Sequence, residues 1–244
     1  MEPLTWTGSL AGLNIIFLGL AALLALAVLA QILVSFVPSN EVPQVNPDGT
    51  MARPGGISGL LGKAVFGLFA LLVLMIVVYI VAGIFMGPQA GIFGGLSQQM
   101  LPVWVALIVT FAVSIQFKRR LGLYGKLFDS TVGMIGFAIV MFWVYTALFV
   151  GLFDWIITHD PLSAVSGMKN KVPGTPLSGA EEGDYPYYLL GGDTLARDVF
   201  SRMVQGSWVV IRIAPLATLF AFMAGITVGL PAGYFGGRLD TVLS

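Results

Sequence analysis

The sequence predicts an all-α polytopic membrane protein with about five transmembrane helices and one long external loop. Three observations carry that expectation. The 244 residues are 57% hydrophobic and 10% charged, whereas a soluble domain is about 45–50% apolar and about 25% charged. Mean hydropathy is +0.91, and the apolar residues gather in runs that a water-exposed surface could not carry. The runs also lack the period-two alternation of a membrane barrel, so helices are the expected spanning element.

A spanning helix needs about 20 predominantly apolar residues. Five segments meet that length, near Leu10 to Val37, Ala64 to Met86, Met100 to Phe117, Val132 to Ile157 and Trp208 to Tyr234. The first is too long for a signal peptide and no basic segment precedes it, so it reads as a retained span. Between the first two spans, Pro38, Pro43, Pro47 and Pro54 mark an irregular loop. The joint from Gly87 to Gln99 is short and uncharged. Lys118, Arg119, Arg120 and Lys126 form a basic cluster before the fourth span. The longest polar stretch is Thr158 to Ser207.

Short loops rich in Lys and Arg stay in the cytoplasm. The basic cluster therefore places the third-to-fourth loop inside, and alternation places the first loop, with Arg53 and Lys63, inside as well. The N-terminus, the second loop and the 158–207 loop fall outside, and the tail with Arg238 returns inside. Several function classes drop out on composition. The formal net charge is zero, which gives no basic field for nucleic acid. There is no cysteine for disulfides, thiolate metal sites or nucleophiles, and one histidine, His159, where a zinc site needs three or four clustered ligands. Gly56 to Lys63 lacks the spacing of a phosphate-binding loop, and Ala64 supplies no hydroxyl for magnesium, so ATP hydrolysis would come from a partner. No cofactor is expected.

More specific information lies in two segments. The first reads Leu190-Gly191-Gly192-Asp193-Thr194-Leu195-Ala196-Arg197-Asp198-Val199-Phe200-Ser201-Arg202, followed by Gly206. After the fifth span comes Ala232-Gly233-Tyr234-Phe235-Gly236-Gly237-Arg238-Leu239-Asp240. Together they resemble the permease subunits of dipeptide, oligopeptide and nickel ABC importers, which carry L-G-T-D-x-x-G-R-D-x-F-S-R-x-x-x-G, then a span, then A-G-Y-x-G-G-x-x-D. The resemblance covers roughly Gly125 to Ser244. It implies a division into a 1–124 membrane extension of about three spans and a 125–244 start of a permease domain. Gly192 stands where that family usually has Thr, Ala196 where it usually has Gly, and Trp208 near a common Arg. Family members continue through further helices and a cytoplasmic E-A-A…G loop, so the chain reads as the N-terminal part of a permease, truncated or divided.

The resemblance implies a permease component of a bacterial inner-membrane importer for peptides or similar small solutes, not an enzyme. A second permease subunit, ATP-binding cassette ATPases, a solute-binding protein and membrane lipid are the implied partners. It singles out Gly191, Asp193, Arg197, Asp198, Ser201, Arg202, Gly206, Gly233, Gly236, Gly237 and Asp240 as structural or gating residues. A non-catalytic scaffold built on the first three spans is the alternative. An intramembrane enzyme built on Ser207 is disfavoured, because no oriented base accompanies it.

The residues also admit a direct physical reading. Asp193 is a good N-cap for a helix running to Val204, with Leu195, Val199, Phe200 and Met203 on an apolar face. Asp198 and Arg202, four residues apart, would pair on its surface. Such a helix would anchor the loop at the membrane surface and set the entry angle of the fifth span, a role that outweighs direct substrate contact. Arg212 lies near the start of that span, where its side chain can snorkel to the interface. Pro215 and Pro231 favour bends. Gly225 and Gly229, extended by Gly233, offer a seam for close helix packing, and Gly133 with Gly136 a weaker one.

The orientation is directly testable. Cysteine placed at Ser166 is expected to react with a membrane-impermeant reagent on intact cells, and cysteine at Ser130 to stay unlabelled. The reverse pattern would invert the assignment.

Overall fold

Seven α-helices and one short strand pair lie among the described residues of the computed structural model, which are 2–36, 56–120, 122–177 and 184–235. The protein is an all-α polytopic membrane protein. Among the described residues, four helices are long and apolar enough to cross a bilayer. The chain divides into two compact units, Glu2–Gln98 and Gln99–Ser244.

In the first unit, α1 (Leu13–Ser35) and α2 (Gly56–Met86) form an antiparallel pair. Near one end the Tyr79 hydroxyl donates to the Asn14 side-chain oxygen at 2.7 Å, and the Asn14 amide donates to Thr7 at 2.8 Å. Near the other end Gly62 faces Gln31. Polar side chains inside an apolar helix pair need partners, and this relay supplies them. A 3-10 turn, Gly87–Ala90, leads into α3 (Gly91–Gln99). Backbone bonds from Ile92 N–H to the Thr5 carbonyl (2.9 Å) and Phe93 N–H to the Trp6 carbonyl (3.1 Å) tie α3 to the N-terminal segment.

The second unit begins with α4 (Leu101–Gln116), a 3-10 turn at Lys118–Arg120, α5 (Gly122–Lys126), a further turn at Leu127–Asp129 and α6 (Thr131–Phe153). α4 coincides with the third expected span, but its 16 residues reach about 24 Å at 1.5 Å per residue, short of a hydrocarbon core about 30 Å thick. α4 packs against α6. Phe111, Tyr124, Phe128 and Phe137 form an edge-to-face cluster there, with centroids 5.3–5.8 Å apart. Ser130 caps α6 by accepting from Gly133 N–H at 3.3 Å. Gly133 itself faces the Leu127 carbonyl of the preceding turn rather than a neighbouring helix, and Gly136 meets open space. Asp154 ends α6 in a left-handed conformation, φ 54°, a position that Asp tolerates better than most residues. Beyond it Trp155 stacks on Phe149 at 5.7 Å.

Residues after α6 form an irregular segment in which β1 (Thr175–Pro176) pairs antiparallel with β2 (Tyr187–Tyr188). The chain then enters α7 (Val199–Phe235). This helix corrects the expectation of a surface helix from Asp193 to Val204 followed by a separate span. Residues 193–198 are not helical, and a single 37-residue helix runs through Pro215 and Pro231. Its buried face is Phe200, Ser201, Val204 and Ser207, so the expected face of Leu195, Val199, Phe200 and Met203 keeps Phe200 but not Leu195 and Met203, which are exposed. From Arg212 to Leu230 every residue is exposed.

α6 and α7 meet where Trp208 sits in the notch left by Gly151. A Cβ on Gly151 would lie 2.0 Å from the indole ring. Over the same ring lies the Arg212 guanidinium, 5.3 Å from its centroid, directed back toward the helix start. Gly151→Val is expected to cost about 1–3 kcal/mol through overpacking. Thermal unfolding in detergent checks it. Adding Trp208→Ala should make the double variant less destabilised than the sum of the singles; strict additivity would refute the contact.

Candidate functional site

The segment after α6 is held to the start of α7 by one carboxylate. Asp198 is completely buried. Its Oδ1 accepts from Phe200 N–H at 3.2 Å, and its Oδ2 accepts from Ser201 N–H at 3.2 Å, so Asp198 is the N-cap of α7. The same Oδ2 accepts from the Ser201 hydroxyl at 2.6 Å and the Thr158 hydroxyl at 2.7 Å. Ser201 Oγ in turn accepts from the Thr158 N–H (3.2 Å) and the His159 N–H (3.0 Å). Two adjacent residues of the post-α6 segment are therefore bonded, backbone and side chain, to the first turn of α7.

His159 completes the network. Its Nδ1 lies 3.3 Å from Asp198 Oδ2 and its Nε2 lies 2.8 Å from the Tyr185 carbonyl. Both partners only accept, so an imidazole carrying both protons satisfies the two contacts at once. The ring stands edge-on to Tyr188, 4.9 Å between centroids. Burial pushes the Asp198 carboxyl up, but the hydrogen bonds from His159, Ser201 and Thr158, with the charge on His159, outweigh it and hold the group below the usual carboxylate range. Burial pushes the neighbouring Tyr185 hydroxyl up to about 12, leaving it a neutral phenol.

Asp193 organises a second, more exposed knot. Its Oδ1 accepts from Leu195 N–H (2.8 Å) and Arg197 N–H (2.9 Å), and its Oδ2 accepts from Arg197 Nε (3.0 Å). Arg202 also donates to this carboxylate. The Arg197 backbone bond, helped by the Arg197 side chain and Leu195, outweighs desolvation and brings Asp193 down to about 2. The expected Asp198–Arg202 pair and the expected cap by Asp193 are both corrected here. Arg202 pairs with Asp193, and Asp198 is the cap. Helical spacing suggested the wrong pairing because 193–198 folds as a tight loop, closed by Asp193 N–H to the Arg197 carbonyl and Ala196 N–H to the Asp193 carbonyl, each 3.0 Å.

The loop accounts for the glycine at 192 and leaves the alanine at 196 in a conformation that favours glycine. Ala196 has φ 62°, a left-handed conformation that costs a non-glycine residue about 1–2 kcal/mol, and glycine is the usual family residue there. At Gly192, a Cβ would lie 1.9 Å from the Met168 carbonyl, so the family's Thr does not fit this backbone. Gly191 has φ 82° and faces the Lys171 carbonyl. Backbone bonds from Val165 to Ala196, Asn170 to Asp193 and Gly192 to Lys171, each 3.0 Å, lace the motif to residues 165–171.

The remaining singled-out residues stand apart. Gly206 meets open space, as do Gly225, Gly229 and Gly233, which no described residue packs against. Gly236, Gly237 and Asp240 lie outside the described residues. Ser207 donates to the Val204 carbonyl at 2.6 Å, an intrahelical bond with no base beside it. His159, Thr158 and Tyr185 escape a sequence reading, since they lie 26 to 43 residues from the groups they meet and no periodicity links them. Beside the network opens a cavity of about 540 Å³, lined by Asp154, Thr158, His159, Asp160, Asp184 and Tyr188 among others. Among the described residues, no group of three or more His, Asp or Glu is placed to hold a metal. The arrangement is built to fix backbone: the Ser201 hydroxyl is committed to Asp198 and to the backbone amides of Thr158 and His159.

Comparison with known proteins agrees with the motif. The chain is 39% identical over 62 residues to the dipeptide transport system permease protein DppC of Haemophilus influenzae, covering 25% of this chain and 21% of that protein. It is 37% identical over 62 residues to the glutathione transport system permease protein GsiD of Pectobacterium atrosepticum, covering 25% and 21%. To the DppC protein of Alkalihalophilus pseudofirmus it is 26% identical over 121 residues, half of this chain and 35% of that one. The chain thus spans between about a fifth and about a third of the length of these curated relatives. No family model matches it, and no solved structure matches it.

Replacing Asp198 by Asn is expected to destabilise the protein by about 2–4 kcal/mol at neutral pH, because the His159 ring and two hydroxyls lose a buried charged acceptor. The wild-type carboxylate is held below its ordinary value, so its contribution is fully present above about pH 4. That contribution is lost as pH falls through the lowered value of the folded state. Asp198→Asn should lack this acid-dependent loss. Thermal unfolding across pH, with hydrogen exchange at 157–160 and 199–204, measures both effects. Unchanged neutral-pH stability in the variant would overturn the role of Asp198.

Proposed function

We propose that this chain is part of the membrane permease of an ABC importer for peptides or similar small solutes, residing in a bacterial cytoplasmic membrane. Its similarity to dipeptide and glutathione transport permeases carries the proposal. In this reading, residues 125–244 form the start of the permease domain and 1–124 a membrane extension. The protein is not an enzyme. Energy comes from ATP-binding cassette partners, and a second permease subunit and a solute-binding protein complete the machine.

The geometry supports a particular division of labour. The motif fixes the outer end of α7, through Asp198 and Ser201 to Thr158 and His159, and through Asp193 to Arg197 and Arg202. Below it, α7 exposes an apolar surface that includes Gly225, Gly229 and Gly233. In lipid, small residues of this kind permit close approach of another helix. We assign that surface to further helices of the permease assembly, with α7 lining or flanking the translocation path. The motif residues then act by positioning α7.

A chimera tests the function. The matched segment of the Haemophilus influenzae permease is replaced by that of this chain, extended where needed to carry residues 157–207, and uptake of a labelled dipeptide is measured in cells lacking their own dipeptide permease. Uptake is expected to persist at a substantial fraction of the parental rate. Asp198→Asn in the same chimera is expected to reduce it. A chimera that inserts at normal abundance yet transports nothing would overturn the permease assignment and leave the scaffold alternative.

A further inference from the structure

The joint between α4 and α6 gathers cations that the permease reading does not use. Between Gln116 and Thr131 the chain carries Lys118, Arg119, Arg120 and Lys126 against one carboxylate, Asp129. Asp129 pairs with Lys118. The side chains of Arg119, Arg120 and Lys126 are exposed and make no hydrogen bond or ion pair among the described residues.

Folding brings these cations together. Gly125 rests directly on the Lys118 backbone, where a Cβ would lie 2.1 Å from the Lys118 carbonyl. That contact sets Lys126 next to the Lys118–Arg120 turn, although they are six to eight residues apart in sequence. The turn is also stiffened from below. The Ser114 and Tyr124 hydroxyls share a 2.9 Å hydrogen bond, and Tyr124 and Phe128 belong to the aromatic cluster with Phe111 and Phe137. Holding the backbone still lowers the entropic cost of gathering like charges around one anion.

Apolar groups flank the cations. Leu123 is 83% exposed and Val132 80% exposed, with Phe117 also open. Both helices bordering the joint end in apolar runs. A soluble anion or an acidic protein surface would match the charge but leave these side chains in water. A phospholipid matches both, because its phosphate meets the guanidinium and ammonium groups while its acyl region covers Leu123 and Val132. Adjacent arginines suit a phosphate in particular, through bidentate donation.

We infer that Arg119, Arg120 and Lys126, gathered by the Gly125–Lys118 contact, form a binding site for the headgroup of an anionic phospholipid just before the start of α6. The inference does not depend on transport activity. The test uses the full chain in nanodiscs containing equal phosphatidylglycerol and phosphatidylcholine, with native mass spectrometry counting the lipids that stay bound after release. Phosphatidylglycerol is expected to be retained in preference at low salt, and the preference to collapse at high salt. Each change among Arg119→Gln, Arg120→Gln and Lys126→Gln should weaken retention about fivefold. Lys169→Gln with Lys171→Gln, on the opposite joint, should leave it unchanged. Equal retention of the two lipids by the wild type, or a preference indifferent to salt, would overturn the site even if the triple variant failed to insert. An inserted triple variant with the wild-type preference would overturn it too, leaving the basic residues only their part in setting orientation.

Discussion

Hydrocarbon offers a peptide bond no hydrogen-bond partner, and most of this structure answers that constraint. α1, α2, α6 and α7 satisfy their backbone groups internally. Side chains inside them follow the same rule. Thr146, Thr218 and Thr227 return their hydroxyls to carbonyls three or four residues back, and Asn14 is satisfied by Thr7 and Tyr79. Irregular backbone is confined to the joints, and there the protein must supply partners of its own.

The joint between α6 and α7 shows how this is done. Its buried apolar side chains are accompanied by a buried carboxylate, and polar groups carry much of its order. Asp198 gathers two backbone amides, two hydroxyls and an imidazole around one carboxylate. Tyr188, Leu189, Ile156 and Phe200 close a small apolar core beside it. Taking a carboxylate out of water is costly unless its lone pairs are filled, and here every partner is fixed by another element. The result is a segment tied to the helix it precedes, so the order of the loop and the position of the helix are not independent.

How much of this was legible in the sequence follows from the range of the interactions. Helices α1, α2 and α6 rest on local hydropathy, and their positions follow from it, whereas α7 starts at Val199, nine residues before its apolar run. α4 shows the limit of that signal, because an apolar run near Met100 to Phe117 marks where the helix lies but not whether its 16 residues are enough to cross a hydrocarbon core. Helical spacing pairs Arg202 with Asp198, but the left-handed backbone at Ala196 turns the loop back on itself and Arg202 pairs with Asp193 instead. A tight loop of this kind is invisible to a spacing argument. The meeting of His159 with Asp198 spans 39 residues and leaves no periodic trace. One chemical hint existed, since an Asp, a Ser and the chain's one histidine all lie in the same polar region. Nothing local says that they converge.

The seat of Trp208 against Gly151 has a mechanical meaning. It lies nine residues from the start of α7 and twenty-seven from its end, or about 14 Å and about 40 Å along the axis. A rod resting on a fulcrum so near one end has unequal arms. A tilt that shifts the Asp198 end by about 1 Å would carry the far end through about 3 Å in the opposite sense. The short arm is clamped by hydrogen bonds, and every residue of the long arm from Arg212 to Leu230 is exposed. Small strains at the loop would therefore be magnified at the other face of the membrane, and forces applied there would reach the loop with about a threefold mechanical advantage.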